Sequence, residues 1–123
     1  VMLRDLAFRS MREHYLLPFR GLAHVACLPG EEVVGLGALP RVIDILAARP
    51  QVQERLGEQV ADAIAGALDA RGVLVVLDAT HECVTMRGGR QPEASTVTIA
   101  ARGVYTDPVA RAALVTLIGR GSP

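Results

Sequence analysis

The five consecutive apolar residues Val73 to Leu77 constrain this chain more than any other feature. An unbroken apolar run of that length, rich in valine, reads as a strand with both faces covered. It continues through Ala79 to Met86. The remaining elements arrange themselves around it by their own periodicities. Leu3 to Arg9 alternates polar and apolar around Leu6 and Phe8, which predicts a half-exposed strand. Phe19 to Leu28 predicts a second strand ending at the turn pair Pro29-Gly30, and Val33 to Gly37 is a short apolar link.

From Leu39 the spacing changes. Leu39, Val42, Ile43 and Leu46 follow a helical pattern that Pro50 ends, because the residue before a proline is pushed out of helical geometry. A second helix carries Val52, Leu56, Val60, Ala63, Ile64, Ala67 and Leu68 on one stripe and closes at Gly72. Residues Gly88 to Pro92 form a loop, and Thr96 to Val104 forms a strand in which Gly103 is expected to mark a bulge. Asp107 followed by Pro108 starts a last helix running to about Ile118. The order is β-β-α-α-β-β-α. It specifies an α+β class with an antiparallel sheet, helices on one face and a C-terminal helix.

A length of 123 residues predicts one domain spanning 1–123, without repeat or linker. Half of the residues are hydrophobic but only four are aromatic, so Val, Leu, Ile and Ala must build the core. Acidic and basic residues balance at 13 each, and every basic residue is arginine. No net field argues for nucleic acid or an anionic membrane as partner. No apolar stretch reaches the about 18 residues needed to span a bilayer, and no signal-peptide pattern is present. Cys27 and Cys83 make no disulfide framework, so a reduced, cytoplasmic protein is expected. Because Val1 already lies in a strand-like pattern, an upstream segment is expected as well.

The octapeptide Arg49-Pro50-Gln51-Val52-Gln53-Glu54-Arg55-Leu56 resembles, almost letter for letter, the signature of the GTP cyclohydrolase I family. Residues Ser10 to Gly21, with Glu13-His14 and Pro18-Phe19, look like that family's Cys-Glu-His-His segment. Val33-Val34-Gly35-Leu36, Thr80-His81-Glu82-Cys83 and Met86-Arg87-Gly88 fall at the family's positions and spacings. The resemblance covers essentially the whole chain, with the family's N-terminal helical segment absent. It implies the tunnelling fold, β-β-α-α-β-β with a C-terminal helix. It also implies a homo-oligomer, a decamer of two stacked five-membered barrels joined through sheet edges. An open antiparallel sheet leaves edges that need such partners.

The resemblance assigns the ligand, a guanine-, purine- or pterin-like small molecule, to Gln53 and Glu54. A carboxylate accepts two parallel hydrogen bonds from the N1–H and N2–H2 edge of such a ring, and a helix N-terminus favours its charge. The plain alternative is a solvated glutamate in a first helical turn. Arg41 and Arg87 match positions that hold the phosphate or ribose side, a task suited to planar guanidinium groups. The family's Ser and Lys before the first helix are replaced by Gly37 and Ala38, which removes two donors to a triphosphate. A less phosphorylated ligand than GTP, or weak triphosphate binding, is the expectation.

In the family a catalytic zinc is held by the Cys and second His of Cys-Glu-His-His and by a later Cys. Those positions here read Arg12, Tyr15 and Cys83. Arginine has no free lone pair for a metal, and one thiolate does not retain zinc. The expectation is therefore that the standard metal site is lost, with no cofactor. A rebuilt His14, His81 and Cys83 site is the chemically allowed exception. His14 and His81 match family residues used for proton transfer, which makes His14, His81 and Cys83 the candidate catalytic groups. Arg12 is expected to join the substrate-binding residues, supplying positive charge where the family holds zinc, while His24 reads as a strand-face histidine.

Three functions follow from these readings. The first is a zinc-independent enzyme on a purine- or pterin-like substrate, suited to a specialised natural-product pathway. The second is ordinary GTP cyclohydrolase I, giving dihydroneopterin triphosphate and formate with an altered metal site. The third is an inactive binding or regulatory subunit.

Overall fold

The computed structural model describes residues 1–13, 16–30, 37–81 and 95–120. Strands β1 (Met2–Arg12) and β2 (Pro18–Leu28) are followed by helix α1 (Ala38–Ala47). A two-residue strand β3 (Pro50–Gln51) leads into helix α2 (Gln53–Leu68). Strands β4 (Gly72–His81) and β5 (Thr96–Gly103), a 3-10 turn (Val104–Thr106) and helix α3 (Pro108–Arg120) complete the order. The sheet order is β3-β1-β2-β4-β5. All pairings are antiparallel except β1 with β3.

The apolar run Val73–Leu77 lies in β4, in the interior of that sheet, and its alternation explains its composition. Val73, Val75, Leu77 and Ala79 face one core with Leu39 and Ile43 of α1 and Leu56, Val60 and Ile64 of α2. Leu74 and Val76 face the other side, where they cluster with neighbouring Ala26 of β2 and Ile118 of α3, and Leu114 of α3 packs alongside. Helices α1 and α2 thus share one face, and the C-terminal helix covers part of the opposite one. Cys27 is buried in the first core, and burial pushes its thiol pKa up, so it is a poor thiolate.

Three expectations need correcting. Helix α2 closes at Asp69, which takes a left-handed φ of 45°, and Gly72 already belongs to β4. The sheet has five strands, because the chain after Pro50 stays extended long enough to pair Met11 with Pro50 and Arg12 with Gln51 in parallel. Gly103 is not a bulge, since β4 and β5 pair without a shift from Ala79–Thr96 to Gly72–Gly103. The irregularity lies in β1, between Leu3 and Leu6, where Asp5 takes a φ of 61°. Aspartate tolerates that left-handed geometry better than most side chains. Buried His24 on β2 accepts the Asp5 backbone N–H at Nδ1 (3.1 Å), so the histidine satisfies a donor that the bulge freed from the ladder. An Nδ1 that accepts this bond is unprotonated, so the 3.9 Å approach of the Asp5 carboxylate is no ion pair.

The Arg102 side chain ties edge strand β5 to the middle of α2. Arg102 pairs with Glu58 and, at 2.7 Å, with Asp62, one helical turn apart. No helix among the described residues is long and apolar enough to cross a membrane.

Gly103 ends β5 with a φ of 63°, and a Cβ there would sit 2.2 Å from the Arg71 carbonyl oxygen. Both the left-handed backbone and the contact exclude a side chain. Gly103→Ala is expected to lower stability by roughly 1–3 kcal/mol, read as a lower denaturant midpoint; an unchanged midpoint contradicts this account.

Candidate functional site

Three sequence-distant segments meet at the N-terminus of α2. The first is the end of β1, which pairing with β3 holds beside the start of the helix. Its backbone is fixed on both sides: Arg12 N–H donates to Leu17 O (2.7 Å) and Glu13 N–H to Gln51 O (3.0 Å). The Arg55 guanidinium adds an exposed ion pair to Glu13 at 2.6 Å. The second segment is the first turn of α2, where Val52 caps without a side-chain bond and Glu54 is the acidic residue. The free helix N–H groups there favour the Glu54 charge. The third is the end of β4, which delivers His81.

Register decides where His81 sits. Phe19 on β2 pairs directly with His81, and their rings stack at 4.6 Å and 6°. Phe8 meets the other aromatic ring edge-on at 6.1 Å. Gln53, buried at the first position of α2, closes the arrangement. Its amide oxygen lies 2.6 Å from His81 Nε2. Its amide nitrogen donates toward Thr96 O (2.8 Å), Leu77 O (3.2 Å) and Thr98 Oγ1 (3.2 Å). The helix start, β4 and β5 are thereby joined through one side chain.

The His81 pKa is lowered from the ordinary histidine value. Burial contributes most, Arg12 lowers it further, and Glu54 opposes both. His81 is therefore neutral near pH 7. Arg12 and Glu54 therefore lie in the electrostatic neighbourhood of His81.

Other candidates stand differently. His14, Tyr15, Cys83 and Arg87 lie outside the described residues. Arg41 is on the exposed side of α1, with no ion pair to a described residue. Gln53 has both amide protons turned to protein acceptors, which the sequence did not reveal. Phe19 also went unassigned; its only signal was its place after Pro18 in the matched segment. An open cavity of about 580 Å³, lined in part by Arg9, Arg20, Leu22, Asp44 and Thr80, is lined by none of the candidates among the described residues.

The family model described as GTP cyclohydrolase I matches residues 1–119. The chain belongs to the GTP cyclohydrolase I family. It is 65% identical over 122 residues to GTP cyclohydrolase 1 of Leifsonia xyli, covering 99% of this chain and 64% of that one. Against the Rhodopirellula baltica enzyme it is 53% identical over 123 residues, covering 99% and 54%. The chain thus spans less than two thirds of the length of these curated relatives. Two solved structures share the fold. An archaeosine synthase QueF-like protein superposes with a TM-score of 0.62 at 15% identity, over 83% of this chain and 93% of that one. Dihydroneopterin aldolase of E. coli, in complex with neopterin, gives 0.63 at 13% identity, over 84% and 97%. The tunnelling fold implied by the sequence is therefore the fold observed.

Removing each charge near His81 moves its pKa in a defined direction. Arg12→Gln removes a repelling cation, so the pKa rises; Glu54→Gln removes an attracting anion, so it falls. A histidine NMR titration of both variants checks the signs, and no movement in either contradicts the shared site.

Proposed function

We propose that this chain is the base-binding and ring-opening part of a GTP cyclohydrolase I, converting GTP and water to 7,8-dihydroneopterin triphosphate and formate. The observation that carries this reading is the 65% identity to a GTP cyclohydrolase 1 over 99% of the chain. Divergence of that order within one matched family favours the same reaction over a new one. The grouping of Glu54, His81 and Arg12 supplies a physical basis for it.

In this reading Glu54 accepts the N1–H and N2–H2 edge of guanine. Arg41 and Arg87 hold the phosphate side. His81, neutral near pH 7, takes a proton from the attacking water, with His14 as its acid–base partner. Copies of the chain assemble through sheet edges. The exposed Val97 and Ile99 on edge strand β5 support such a contact.

One feature favours a second reading. The family's zinc would fall at Arg12, Tyr15 and Cys83, and this donor set does not fit the metal. Guanidinium offers no lone pair, neutral phenol is a poor ligand, and a single thiolate is insufficient. On that basis the chain binds the heterocycle and performs a zinc-independent step on a purine- or pterin-like substrate, in a specialised pathway. Loss of the Ser and Lys donors at Gly37 and Ala38 points to weaker triphosphate binding in the same reading.

Purified protein incubated with GTP separates the two. Formate and dihydroneopterin triphosphate in equal amounts, with stoichiometric zinc, are expected for the first. GTP binding without formate release supports the second, or an inactive subunit. Under the first reading His81→Ala lowers kcat by about 10²–10⁴-fold. Glu54→Ala raises KM for GTP and weakens guanosine, GMP and GTP alike; unchanged binding of all three would remove Glu54 from the site.

A further inference from the structure

We propose that Gln53 is a positioning residue that holds the His81 imidazole in the tautomer protonated at Nε2, leaving Nδ1 as its proton-accepting nitrogen. The catalytic consequence rests on the role given to His81 above; the tautomer itself does not.

The argument runs through atoms that can only donate or only accept. Gln53 is 3% exposed, so its amide must find partners inside the protein. One end of that amide faces the carbonyl oxygens of Thr96 at 2.8 Å and Leu77 at 3.2 Å. A carbonyl oxygen only accepts, so the end that faces them is the NH2 group. The amide orientation follows, and the Gln53 oxygen is turned to His81. That oxygen also only accepts. A separation of 2.6 Å from His81 Nε2 therefore requires the hydrogen on Nε2. In a neutral imidazole one nitrogen carries the proton and the other the lone pair, which places the lone pair on Nδ1.

Stacking alone does not achieve this. Phe19, parallel to the ring at 4.6 Å, fixes the plane of the imidazole. It leaves the ring free to turn over within that plane's two orientations, because an aromatic face offers no hydrogen-bond polarity. The Gln53 oxygen removes this freedom. The two main-chain carbonyls in turn remove it from Gln53, so the backbone of β4 and β5 sets the histidine's tautomer through one intervening amide. A general base must present a lone pair toward the proton it takes, and a ring that flips presents it only part of the time.

The test uses ring nitrogen-15 spectra of the purified protein labelled at histidine, with His81→Asn identifying the His81 signals. The parent should show a protonated Nε2 with a slowly exchanging, hydrogen-bonded proton and a lone-pair signature at Nδ1. Gln53→Met keeps the length and removes the acceptor. Its Nε2 proton should exchange with water, and the two nitrogen shifts should move toward each other. Phe19→Leu disturbs the same core but keeps the acceptor, so its tautomer should persist. A parent spectrum with the proton on Nδ1, or a Gln53→Met spectrum unchanged from the parent, overturns the proposal. Should Gln53→Met fail to fold, the parent spectrum still decides. In GTP turnover, Gln53→Met should lower kcat by about tenfold or more and leave KM within about twofold. A change confined to KM would instead mark direct ligand contact and overturn the positioning role. Absence of GTP turnover in the parent counts against the cyclohydrolase reading and leaves the tautomer measurement intact.

Discussion

The amide of Gln53 is the contact through which this site is assembled. It sits at the first residue of α2, buried, with its nitrogen on the backbone of β4 and β5 and its oxygen on His81. A buried amide without partners costs about 1–3 kcal/mol. The helix start is therefore held against the ends of the two strands. Glu54, the next residue, inherits its place from that anchor, and the helix N-terminus favours its negative charge. Arg12 reaches the same neighbourhood by a separate route, the short parallel pairing of Met11–Arg12 with Pro50–Gln51. Two small backbone arrangements thus bring together residues 12, 53, 54 and 81.

The electrostatics follow from that convergence. A histidine half-buried against Phe19 and close to a guanidinium is held neutral, while the carboxylate of Glu54 limits how far its pKa falls. Neutral imidazole is the form that accepts a proton, and burial, cation and anion together set the pH above which it prevails. Away from this site the same economy of contacts recurs. His24 satisfies the backbone N–H freed by the β1 bulge, and Arg102 clamps edge strand β5 to α2 through two carboxylates.

Much of this was legible in the residues. The apolar spacing of Leu39, Val42, Ile43 and Leu46 marked α1, and Pro50 marked its end, because helical periodicity and proline's missing N–H are local properties. The octapeptide around Glu54 marked the family and, with it, the fold. The bulge was misplaced to Gly103, since glycine is the usual occupant of positive φ and Asp5 is not. The parallel pairing of β3 left no trace at all. Two residues carry no periodicity, and their partner lies some forty positions away.

The sequence by itself determined the order of the longer strands and helices, the two-faced burial of β4 and the family, because those depend on periodicity and on contiguous side-chain types. Only the tertiary structure decided that Gln53 faces inward to His81, that Phe19 stacks on the imidazole, and that α3 takes the sheet face opposite α1 and α2. Each of these depends on strand register and on which face a helix meets. A hydrogen bond across 28 positions is a product of packing that no local pattern encodes.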